Sequence, residues 1–140
     1  PQAENGIIKF VRTKIRHHEP EYIKIKIQPE AQVIIDRYRG TNALLNISDE
    51  FVDYQGFYNS IKMRIRKLGE MIGVPNLTMY YARYSWATYA SKIGVDESVI
   101  GKALGHTDVS LAGSRYISFD WSRVDDANRR VIEYLYETTK

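Results

Sequence analysis

Ile23, Ile25 and Ile27 alternate with Lys24 and Lys26 behind Tyr22. A period of two cannot lie along one side of a helix. It puts the isoleucines on one face of an extended strand and the ammonium groups on the other, which defines a half-buried strand. Upstream, Ile7 to Ile15 alternates less regularly, with Ile8, Phe10 and Arg12 on one face and Ile7, Lys9, Val11 and Thr13 on the other. Between the two runs, Arg16-His17-His18-Glu19-Pro20-Glu21 is polar and ends its turn with a proline. The pattern predicts a β-hairpin with a basic, exposed tip. Lys14 sits where the first strand leaves the core, a place where a lysine is ordinarily just solvated. His17 and His18 are no metal pair on a strand, because adjacent side chains point to opposite faces, so the metal reading is weak.

Behind the hairpin the hydrophobic period lengthens. Pro29 to Tyr38 reads as a helix, with Pro29 near its start and Val33, Ile34 and Ile35 as its buried positions, stopped by Gly40. Thr41 to Tyr54 is a connection with an apolar Ala43-Leu44-Leu45 patch and an acidic Asp49-Glu50. From Phe57 to Gly73, the residues Phe57, Ile61, Ile65, Leu68 and Ile72 recur at helical spacing. The other side carries Lys62, Arg64, Arg66 and Lys67 with no acid among them, which suits either a solvated face or a stripe that contacts phosphates. Gly73 and Pro75 end that helix.

The next helix, Leu77 to Ile93, is expected to start at Thr78 as N-cap and to bury Ala82, Trp86, Tyr89, Ala90 and Ile93. Tyr80 and Arg83 are three apart and share the remaining face near its N-terminus. Free amides and the positive dipole end favour a phosphate there, and Arg83 adds a planar fork for two phosphate oxygens. An ordinary surface ion pair would explain Arg83 equally well. A short helix then runs from Asp96, a good N-cap, to Leu104, with Val99, Ile100, Ala103 and Leu104 inward. Gly105 suits the left-handed residue beyond a helix end, so His106 is expected at a fixed exit point. A histidine there can bond a phosphate oxygen or move a proton near neutral pH, or simply favour the negative helix end. Asp120-Trp121-Ser122 leads into a last helix, Ser122 to Glu137, with Val124, Asn128, Val131 and Leu135 in a stripe and Arg129, Arg130 and Glu133 outward. A hairpin followed by helices argues an α+β fold, mainly helical.

Composition narrows the function classes. The 140 residues make one domain or the larger part of one, and 44% hydrophobic residues suffice for a core. No apolar run approaches the roughly 18 residues of a membrane span. Without cysteine, disulfides and thiolate metal sites are excluded, in agreement with a cytoplasmic protein. The net charge of +3 permits nucleic-acid binding without requiring it.

Four pieces then stand in a fixed order: Arg12-Thr13-Lys14, Tyr80-Tyr81-Ala82-Arg83, Leu104-Gly105-His106 and, ten residues beyond that histidine, Tyr116 in Ser114-Arg115-Tyr116-Ile117-Ser118. This order resembles the catalytic domain of the tyrosine recombinases, the phage integrase family, and looks closest to integrases of Bacteroides-type bacteria and their mobile elements. The resemblance implies a DNA breaking-rejoining fold and site-specific strand exchange through a 3′-phosphotyrosyl intermediate. In it Tyr116 is the nucleophile, Arg83 and His106 stabilise the transition state, and Lys14 protonates the leaving oxygen. Tyr80 stands where many members have histidine, and its phenol can still donate a hydrogen bond. Arg12, Arg16, Lys62 and Arg66 are the expected DNA contacts. The chemistry implied needs no metal or other cofactor, and its partners are double-stranded DNA and further copies in a tetramer.

In the family the first catalytic arginine and a nearby acid lie on helices before the hairpin, and here six residues precede Ile7. Residues 1–140 are therefore expected to be the C-terminal catalytic domain of a larger integrase, without its first helices and its N-terminal core-binding domain. Within the same chemistry, resolvase, invertase and topoisomerase-like roles share these residues. A non-catalytic DNA-binding module that keeps the fold is the alternative of another class.

Overall fold

The computed structural model describes residues 2–11, 22–41, 44–46, 51, 53–106 and 119–139. Among them are three antiparallel strands, β1 (Gln2–Glu4), β2 (Ile7–Val11) and β3 (Tyr22–Lys26), in spatial order β1-β2-β3. Five helices follow: α1 (Pro29–Arg37), α2 (Tyr54–Met71), α3 (Tyr80–Lys92), α4 (Glu97–Ala103) and α5 (Ser122–Thr138). The α+β, mainly helical class read from the period change is the class observed. None of these helices is long and apolar enough to cross a membrane.

The register accounts for the alternation. Ile8 stands opposite Ile25 and Phe10 opposite Ile23, so one face of the pair is apolar, and Ile23 is buried. Lys9, Lys24 and Lys26 are exposed on the other face. β1 went unread in the sequence. Its signal is Asn5-Gly6, both with positive φ (52° and 73°), as the tight two-residue hairpin turn between β1 and β2 requires.

The core lies between α3, α4 and α5. Ala90, Val95, Val99, Val124, Ala127 and Val131 are buried together, with Trp86, Tyr89, Ile93, Ile100, Phe119, Trp121 and Leu135 packed around them. The α5 helix reaches in four directions. Its Asn128 accepts a hydrogen bond from the Trp86 indole of α3 at 3.0 Å. Its inner stripe meets Val99 of α4. Asp125 accepts the Lys26 amide of β3 at 2.8 Å. Arg129 grips Glu30, in the first turn of α1, through two parallel bonds of 2.9 and 3.1 Å.

Several expected faces are corrected by these contacts. Arg129 is not outward; its side chain is two-thirds covered because it ties α5 to α1. Arg130, exposed as expected, donates to the Ile93 carbonyl at the end of α3. On α1 only Ile35 is buried, while Val33 and Ile34 are 69% and 56% exposed, since the helix meets the body along one narrow side. The helix expected from Phe57 begins one turn earlier, because Asp53 accepts the Gly56 amide and caps it. Leu68 and Ile72 are half exposed, and the buried residue at that end of α2 is Gly69. Thr78 is not the side-chain cap of α3; the helix starts at Tyr80 without one.

Gly69 supplies a sharp test. A Cβ there would lie 2.5 Å from the Val74 carbonyl oxygen and 2.7 Å from Leu77 Cβ, and the Val74 amide is itself bonded to the Gly69 carbonyl at 2.8 Å. Alanine in a helix is normally better than glycine by about 1 kcal/mol. Here Gly69→Ala is expected to lower stability instead, by about 1–3 kcal/mol, in urea unfolding. A stabilised variant would show that the corner is not packed this way.

The hydrogen bonds from Arg129 hold the Glu30 carboxyl below its ordinary value of 4.5. The folded state thus binds fewer protons than the unfolded one, so this contribution is complete above pH 4.5 and drains away as pH falls through the folded value. Glu30→Gln is expected to flatten the loss of melting temperature on the acid side. An unchanged acid profile would show that the pair adds nothing.

Candidate active site

The end of α4 fixes the site. Asp96 caps the helix start, accepting the Ser98 amide at 2.8 Å and the Ser98 hydroxyl, and these bonds hold its carboxyl below the usual aspartate value. At the other end Gly105 takes φ of +67°, donates its amide to Lys102, and turns the chain so that the His106 amide bonds back to the Gly101 carbonyl, each at 2.8 Å. That pair of bonds is the Schellman closure. The exit point predicted for His106 is therefore set by backbone geometry, with the ring exposed to solvent.

Arg83 arrives from α3. One of its nitrogens, Nη2, donates to the Leu104 carbonyl at 2.6 Å and lies 3.4 Å from His106 Nε2. Guanidinium has no acceptor, so any bond between the two has His106 Nε2 accepting and the ring proton on Nδ1. This placement corrects the expected face of α3. Arg83 is half-buried, in line with Trp86, Ala87 and the fully buried Ala90, whereas Ala82 is exposed. The reason is electrostatic. The last carbonyls of α4 lack intrahelical partners and carry the negative dipole end, and a cation in the first turns of α3 satisfies one of them. Among the described residues Nη1 and Nε of Arg83 bond nothing; their N–H groups point to different sides of the guanidinium, so each can donate to a separate oxygen.

The other expected residues separate into two groups. Tyr80 is exposed and packs its ring on Tyr84, 6.1 Å between centroids, with no bond to Arg83 or His106. Lys62, Arg64, Arg66 and Lys67 are exposed on α2. Arg66 has an acid one turn on, Glu70 at 3.3 Å, a pair so exposed that it adds little. Arg12, Lys14, Arg16 and Tyr116 lie outside the described residues. Leu104 was missed as a site residue because it acts through its carbonyl; the only sequence signal is its place before Gly105. Among the described residues, no three of His, Asp and Glu come together as metal ligands would.

No family model, curated protein or solved structure matches this chain.

What the arrangement can do follows from its distances. Arg83 Nη1 and Nε keep N–H groups for an incoming oxygen, and the His106 ring 3.4 Å from Nη2 puts a second donor beside them once Nδ1–H or a protonated ring faces that oxygen. An exposed imidazole and a half-covered guanidinium, both anchored to the same helix end, suit an oxyanion that arrives from solvent.

The anchor is open to measurement. Gly105→Ala forces a β-carbon into the left-handed region, at roughly 1–2 kcal/mol, and is expected to lower stability by about that much. Gly105→Asn should recover part of the loss, because asparagine tolerates this conformation. Equal stabilities of Gly, Ala and Asn at this position in urea unfolding would mean that the closure does not hold His106.

Proposed function

We propose that this chain is the catalytic domain of a tyrosine recombinase, which cuts and rejoins DNA at specific sites through Tyr116. The observation that carries the reading is the meeting of Arg83 and His106. They are 23 residues apart in sequence, come from different helices, and converge to 3.4 Å around the Leu104 carbonyl. Both belong to the four-part order on which the resemblance rests.

In this reading the Tyr116 phenol gives its proton to solvent and its oxygen attacks a DNA phosphodiester. A phosphotyrosyl bond forms on the 3′ side, and the bond to the 5′ oxygen breaks. Lys14 gives a proton to that leaving oxygen. Charge grows on the two non-bridging oxygens as the phosphorus becomes five-coordinate. Arg83 donates to them through Nη1 and Nε, and His106 donates as the protonated ring; Arg83 is held at the Leu104 carbonyl before DNA arrives, so its stabilisation needs no rearrangement at the moment of reaction. The covalent intermediate keeps the energy of the broken linkage, so a 5′ hydroxyl can reverse the step without ATP. Arg12, Arg16, Lys62 and Arg66 contact the duplex backbone, and four copies bring two duplexes together.

The test is a nicked suicide duplex, on which a released fragment diffuses away and traps the intermediate. With the chain in its full-length context, a covalent protein–DNA band is expected on a denaturing gel. Tyr116→Phe should abolish it while leaving DNA affinity near normal, and Arg83→Ala should slow it roughly 100- to 1000-fold, the usual weight of one such donor. Adducts that persist in Tyr116→Phe would move the nucleophile to another tyrosine. Binding without any adduct in the unsubstituted protein would leave a DNA-binding module.

A further inference from the structure

The solvent face of the sheet carries a charge arrangement that its own packing does not explain. Lys9 and Lys24 are direct cross-strand partners, and Lys26 lies two residues along from Lys24 on the same side of β3. Directly opposed side chains have Cβ atoms about 5 Å apart, and like charges so placed are destabilising. Two residues of strand advance by about 6.6 Å, so three ammonium groups share a small area. Lys9 leans away from Lys24, with Nζ 4.2 Å from the centre of the Tyr22 ring.

Among the described residues no acid is ion-paired with the cluster. Glu4 shares this face but is separated from Lys26 by the intervening strand β2, about 9.6 Å across. Asp125 accepts the Lys26 backbone amide. Among the described residues none of the three lysines has an ion pair.

We propose that Lys9, Lys24 and Lys26 form a binding track for the phosphodiester backbone of duplex DNA, with sequence-independent contacts made outside the reacting site. The recombinase reading supplies only the choice of duplex DNA; the track itself follows from the register. A polyanion that crosses this face removes the mutual repulsion of Lys9 and Lys24 and releases its own counterions at the same time. Lysine suits the task, because a mobile point charge follows a backbone without demanding a fixed fork geometry.

The experiment compares the unsubstituted chain with Lys9→Gln/Lys24→Gln/Lys26→Gln, and with Lys24→Gln alone. It measures binding to a short random-sequence duplex across a salt series, alongside melting temperature and binding to phosphatidylserine vesicles. Each lysine that contacts a phosphate contributes about 0.9 to the slope of log affinity against log salt. The triple variant should therefore lose about 2.7 from the slope and roughly eightfold in affinity per lysine at 0.1 M salt, with an equal or higher melting temperature. Lys24→Gln should lose about a third of that slope.

An unchanged slope overturns the proposal, as does a loss confined to vesicle binding or one that tracks a fallen melting temperature. The two readings fail separately. Covalent adducts formed by the full-length triple variant with undiminished affinity would sink the track and leave the recombinase. Lysine-dependent, salt-dependent binding with no adduct in the unsubstituted protein would do the reverse.

Discussion

Ala90 has no exposed surface, and around it Val95, Val99, Val124, Ala127 and Val131 are buried, none larger than valine. Small side chains let α3, α4 and α5 approach closely, and the bulk that excludes water is pushed to the rim, where Trp86, Tyr89, Ile93, Phe119 and Trp121 close over the cluster. A packed interior of this kind responds to the loss or gain of even one methylene. The consequence for function is one of reach. Arg83 lies two turns along α3 from Ala90, and its guanidinium meets the Leu104 carbonyl only while α3 and α4 keep this separation. The indole–amide bond from Trp86 to Asn128 fixes the rotation of α3 against α5 and so the direction in which Arg83 leaves its helix.

Three arginines close this body in different ways. Arg83 and Arg130 each donate to a carbonyl at or beside a helix C-terminus, at Leu104 and Ile93. Arg129 ties α1 to α5 through a two-point grip on Glu30. Fixed planar forks suit fixed acceptors. The lysines of the sheet make no such bonds among the described residues. Of the three arginines, Arg83 alone has its contact beside an exposed histidine, with Nε and Nη1 unbonded among the described residues.

What the sequence made legible was local. The alternation at Ile23 and Ile25, the cap at Asp96, and the left-handed Gly105 that fixes His106 all depend on residues within one turn or one strand, and all stand as read. Faces that depend on distant partners were misread. Helical spacing marks a stripe but not which end of it has a neighbour, so Ala82 was placed inward and Arg83 outward, when α4 covers the side that Arg83 occupies. Val33 and Ile34 look as apolar as Ile35, yet only Ile35 meets the body. Arg129 and Glu30 are 99 residues apart, and nothing at either position announces the other. The Asn5-Gly6 turn was a local signal that passed unread. At the site, two of the four motif pieces, Arg83 and His106, meet among the described residues; Lys14 and Tyr116 lie outside them.

The bond from the Lys26 amide to Asp125 also bears on self-association. Among the described residues the three-stranded sheet has two edges, each able to recruit a strand from another molecule. At the β3 edge, α5 lies alongside and already occupies one of the donors that a foreign strand would need. The β1 edge is three residues long. Two molecules that pair through β1 would use up that edge in both, and a third would have to pair at β3, where the Lys26 amide is already taken. Strand pairing through β1 alone therefore ends at a closed pair, and the Asp125 bond at Lys26 interrupts the other edge.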